Sequence, residues 1–183
     1  MIVMGLALLL GASAYTSAWV GFAFAGRNPK GSAWLPLHML VIAGSIGMAA
    51  GLIGLHVLQQ DQVGALGTVA TAMLFVGFLL AGVGRQSVEA FTLPVMSRVP
   101  PGSELLVAIA APLLFLGMAA LGIAILRGGV FPPWTGAALV VAAIAAAFAA
   151  YVRIPLALHM SISAVGGLIL AYLGLLVVLS AQS

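Results

Sequence analysis

GALGTVATAMLFVGFLLAGVGRQSVEAFTLPVM, residues 64–96, is uncharged from Gly64 through Gly84 and then sets Arg85 and Glu89 one helical turn apart. As a single helix the stretch would measure about 50 Å at 1.5 Å per residue. The hydrocarbon core of a bilayer is roughly 30 Å thick. The segment therefore reads as a membrane span. Its charged end, Arg85 to Pro94, lies near one interface unless the helix is strongly tilted or broken. A carboxylate in that setting is costly without a partner, and Arg85 stands one turn upstream to provide one.

Working outward, the composition demands the same class. Of the 183 residues, 64% are hydrophobic and 5% charged, against roughly a quarter charged in soluble domains. Mean hydropathy is +1.29. A soluble fold needs a polar shell that these residues cannot build. The apolar runs are continuous, whereas a β-barrel alternates with period two. The expected fold is an all-α, polytopic transmembrane helix bundle forming a single integral membrane domain. Cysteine is absent, which excludes disulfides, iron–sulfur clusters and thiolate zinc sites. The net charge of +3 is spread without a basic run, so no nucleic-acid partner is expected.

Six spans are expected, at about 2–25, 36–58, 64–94, 105–126, 135–152 and 156–179, joined by short loops. Ala12-Ser13-Ala14 follows the apolar run Ile2–Leu10 as a signal-peptide cleavage site would. No basic segment precedes that run, so it is read as an uncleaved first span. Gln59-Gln60-Asp61-Gln62 reads as a short turn between the second and third spans. Arg27, Lys30, Arg98 and Arg153 fall in loops on one side, with Arg85 nearby, while Arg127 stands on the other. The positive-inside rule then places both termini on the non-cytoplasmic side.

That orientation brings distant residues to one level. His38 in the first turn of span two, Glu89 near the end of span three and His159 in the first turn of span six approach the cytoplasmic boundary, with Arg85 and Arg153 close in depth. His56 lies at the opposite end of span two. Two histidines and a carboxylate form a ligand set for a metal ion such as iron(II). Two histidines on facing helices can hold haem b. A histidine and a glutamate that exchange protons form a relay. Each of these needs span two to touch span six. The plainer reading is interfacial: Arg85 neutralises Glu89, and the histidines meet headgroups and water. Gly44, Gly47, Gly51 and Gly54 on span two mark a close helix contact, within the chain or between copies.

Hydrolytic catalysis is not expected, because no Ser/His/Asp arrangement, paired carboxylate motif or phosphate loop is present. The leading expectation is an accessory or scaffolding subunit of a larger membrane complex. Its partners would be the lipid bilayer and other membrane subunits or a second copy, in a bacterial cytoplasmic membrane. The alternative is a small carrier, or a haem- or metal-binding protein, using His38, Glu89 and His159.

Overall fold

A computed structural model describes residues 1–26, 28–96, 98–152 and 154–181. Among the described residues every regular element is helical. The elements are α1 (Ile2–Ala25), α2 (Trp34–Gly77), a π-helical stretch (Phe78–Arg85), α3 (Gln86–Met96), α4 (Pro101–Gly128), α5 (Pro133–Tyr151) and α6 (Leu156–Ser180). Among the described residues five helical segments are long and apolar enough to cross a membrane, where six spans are expected from the sequence.

The difference from expectation lies in residues 34–96, where the second and third expected spans form one helical run of 63 residues. The expected turn Gln59-Gln60-Asp61-Gln62 is helical. Polar side chains do not by themselves break a helix; a reversal needs a backbone conformation that only some residues adopt. That residue is Gly64, with φ 55° and ψ −148°, close to a region essentially reserved for glycine. The chain folds back there. Trp34 reaches Ala90, His38 meets Glu89 and Ser45 abuts Gly82. On an unbroken helix residues 38 and 89 would stand about 75 Å apart. The first arm of α2, residues 34–63, therefore runs antiparallel to its second arm and to the π-helical stretch and α3 that extend it.

Helix α1 runs antiparallel to the first arm of α2 on one side and to α6 on the other. All four glycines of the stripe face α1. Gly44 and Gly47 abut Gly11, Gly51 abuts Leu8 and Gly54 abuts Met4. The stripe is thus used for packing within the chain. Helix α4 packs antiparallel to the second arm of α2, with Leu114 beside Gly77 and Leu74 beside Gly117, and α5 then packs on α4. Contacts of α5 with α6 close the bundle.

Two apolar clusters fill the interior. The larger contains Leu8, Met48, Leu52, Leu74, Leu121 and Leu173. The smaller joins Ala18, Phe22, Trp34, Val41 and Met160 at the end of the bundle where α2 begins. Val3, Phe24, Val95, Val141 and Ile144 are exposed around the outside, as a lipid-facing surface requires.

Candidate functional site

The site is built from Trp34 upward. Pro94 lies inside α3. Proline has no N–H, so the carbonyl four residues earlier loses its helical donor. That carbonyl belongs to Ala90. The indole Nε1–H of Trp34 donates to it across 3.3 Å, which ties the start of α2 to α3. Trp34→Phe should cost about 1–2 kcal/mol, the penalty for stranding a buried acceptor. The cost should fall markedly in a Pro94→Ala background, where residue 94 regains its N–H. Equal costs in both arms of the double-mutant cycle would dismiss this compensation.

One turn after Trp34, the His38 ring lies against the Trp34 ring with centroids 4.0 Å apart and against the edge of Phe22 at 4.9 Å. Its Nδ1 is 2.9 Å from the Trp34 carbonyl oxygen. A carbonyl can only accept, so Nδ1 carries a proton. Nε2 faces Glu89 Oε2 at 3.8 Å. The other carboxylate oxygen, Oε1, accepts from Arg85 Nε at 2.9 Å and pairs with Nη2 at 2.8 Å. Side-chain exposure is 0% for His38, 1% for Glu89 and 30% for Arg85. Arg85 neutralises Glu89 as the spacing predicts, and what differs from the interfacial reading is the exposure of His38 and Glu89. The carboxylate and imidazole are enclosed by protein rather than bathed in water or headgroups.

This geometry has a protonic consequence. With Nδ1 protonated, a neutral His38 would present the lone pair of Nε2 to a carboxylate oxygen, an acceptor facing an acceptor. One added proton resolves the conflict, either on Nε2 or on Glu89. Arg85, Glu89 and His38 thus form a contiguous run of ionisable groups whose inner two members are buried.

His159 does not complete a ligand set with these residues. Among the described residues no three His, Cys, Asp or Glu side chains cluster closely enough to hold a metal ion. Nor do the two histidines bracket a haem: Nε2 of His38 is directed at Glu89 and its ring is enclosed by Phe22 and Trp34. His159 instead lines a cavity of about 250 Å³, together with Arg85, Gln86, Tyr15, Trp19 and Ser163. Arg85 thus joins the buried pair to the cavity wall. The π-helical stretch, wider than an α-helix and common at functional sites, supplies Phe78, Ala81, Gly82 and Arg85 to that wall. Arg153 lies outside the described residues, as does Arg27. His56 is far along α2, with Nδ1 buried and without a hydrogen-bond partner.

Sequence reasoning missed Trp34 as a site residue, reading it as an interface marker, and passed over Gln86. One signal for Trp34 was present: a proline four residues after Ala90 leaves a carbonyl that some donor must satisfy.

No protein-family model matches the chain, and neither a curated protein nor a solved structure is significantly similar to it. The functional reading therefore rests on residues and geometry.

Proposed function

We propose that this chain is an integral membrane carrier. It binds a small molecule in the cavity between Arg85 and His159 and couples passage to one proton held by His38 and Glu89. The observation that supports this most directly is the complete burial of that pair beside a cavity. Replacing a buried ion pair by apolar side chains is often neutral or stabilising, so packing alone gives little reason to keep one. Ionisable groups inside a membrane protein commonly mark ion or substrate pathways.

In this reading each arm of residues 34–96 crosses the bilayer, which gives six passes. From His38 to Gly64 the helix covers about 39 Å, enough for a core of roughly 30 Å. Lys30 precedes the first arm and Arg98 follows α3, both at the end that holds the buried pair, and Arg127 is at the opposite end. The positive-inside rule then favours a cytoplasmic-side site with both termini outside.

Proteoliposomes enclosing a pH-sensitive dye provide the test. Small organic anions, amines and neutral solutes would each be offered across an imposed gradient. At least one class should shift luminal pH, and the shift should vanish in Glu89→Gln. Silence with every class, or a shift that survives in both Glu89→Gln and His38→Gln, would overturn the carrier reading. The accessory-subunit reading takes second place, because the glycine stripe that could have met another copy is occupied by α1 and offers no free face to a partner. Light scattering after mild extraction measures that reading directly, and a lone chain would count against it.

A further inference from the structure

We propose that the carried molecule is a single-chain amphiphile with an anionic head group, admitted sideways from the bilayer between α5 and α6. This rests on the carrier reading above and names its substrate class and route. Three spaces adjoin in series. The first is the 250 Å³ cavity, whose wall carries Arg85, Gln86 and His159. The second, of about 120 Å³, shares Tyr15, Phe78 and Ser163 with the first. It continues between Met118, Ala142, Ile162 and Leu170. The third is an apolar groove of about 540 Å³ between α5 and α6, and Ala142 and Ile162 belong to its wall as well. Two side chains, one of them a single methyl group, thus border both the inner space and the lipid-facing groove.

Polarity falls along this series. Cationic and amide groups gather in the first cavity, the second space still carries the hydroxyls of Tyr15 and Ser163, and the groove between α5 and α6 is lined almost wholly by hydrocarbon. That gradient fits a head group followed by a chain. Size narrows the choice further. The first cavity, at about 250 Å³, admits a compact head, and the second space behind it, at about 120 Å³, is a passage sized for one chain rather than two.

Charge selects the head. Among the described residues, the charged and titratable groups bordering the cavity or the Arg85–Glu89 pair are Tyr15 from α1, His38 from the first arm, Glu89 from α3, Glu104 from α4 and His159 from α6. Glu104 is exposed in a separate cleft that also touches Arg85. Arg85 and His159 are the basic side chains on the cavity wall, and no carboxylate among the described residues lines it, so an anionic head beside Arg85 would meet a guanidinium without a facing negative charge from that wall. Guanidinium has five donors, and Arg85 keeps 30% exposure while two of its nitrogens hold Glu89.

Quenching of Trp19, which lines the first cavity, tests this in lipid nanodiscs. The probes are ω-bromoundecanoate, the same chain bearing a trimethylammonium head, and water-soluble bromopropionate. Trp19→Phe sets the baseline against the other two tryptophans. Saturable quenching by bromoundecanoate is expected, and it should be at least about tenfold weaker for the cationic amphiphile because like charges in one site are penalised. Ala142→Leu, which narrows the passage, should weaken bromoundecanoate quenching while leaving that by bromopropionate unchanged. Equal, saturable quenching by bromopropionate and bromoundecanoate, blind to Ala142→Leu, would sink the amphiphile and its lateral route yet leave a ligand cavity standing. Quenching that only rises linearly with every brominated chain reports partition into the bilayer and also sinks the proposal. No quenching by any probe would remove the cavity reading together with it.

Discussion

Arg85→Met should lower the unfolding free energy by about 3 kcal/mol, and adding Glu89→Gln should recover most of that loss. Removing one member of a buried ion pair strands the other, at a cost of about 3–5 kcal/mol. The lower end applies here because Arg85 is 30% exposed, and water already screens part of the interaction. Glu89, at 1% exposure, has no such relief. The double variant Arg85→Met/Glu89→Met should unfold near the wild-type midpoint or above it, since apolar replacements of a whole buried pair are often neutral or stabilising. It should nevertheless lose proton-linked transport. Unfolding in a titration with denaturing detergent, followed by circular dichroism, measures the first effect, and the dye-loaded proteoliposomes measure the second. Strictly additive losses from the two single substitutions would show that Arg85 and Glu89 do not act as a pair.

A larger structural effect is expected at the crossing of α1 and the first arm of α2. A Cβ on Gly44 would stand 2.7 Å from the Gly11 carbonyl oxygen and from the Tyr15 backbone nitrogen. One on Gly11 would stand 2.7 Å from the Gly47 carbonyl carbon. These neighbours are backbone atoms, which cannot change rotamer to make room, so the helices must separate. Gly44→Val should then cost at least about 3 kcal/mol, beyond ordinary overpacking, because the separated helices also lose their mutual contacts. Gly102→Ala is the control. Nothing lies within 4 Å of a Cβ there, and the change should be neutral or slightly stabilising. If the stripe instead joined two copies, Gly44→Val would halve the mass of the detergent complex and leave the single chain folded. That result would contradict the packing described above.

The helical membrane class was legible because continuous apolar runs leave no other way to satisfy the backbone in lipid. The fold-back was not. The chain has 23 glycines, and nothing local distinguishes Gly64 from those that sit inside helices; its φ is set by the packing of both arms. The cluster Gln59 to Gln62 drew attention to itself as polar, yet Gln59 is fully buried within the helix. The pairing of Arg85 with Glu89 followed from spacing alone. The approach of His38 to Glu89 required the register of the fold-back, which fixes which face of each arm turns inward. His159 was placed at the right end of the bundle to line the cavity, but level alone does not say which neighbour a side chain faces. Burial of the carboxylate was likewise invisible, because a residue at the membrane boundary can point to water or to protein with the same sequence around it.

Arg85 and Glu89 lie four residues apart where the π-helical stretch passes into α3, so their ion pair needs no tertiary structure. This bears on biogenesis. An isolated charge at the centre of an inserting helix costs about 2.5–3.5 kcal/mol on the insertion scale. The emerging second arm can meet the translocon with its two charges already cancelled. The first arm, synthesised earlier, carries no formal charge between His38 and Asp61. Each arm can thus partition into lipid unaided, and the buried contact of His38 with Glu89 comes into being only when the hairpin shuts.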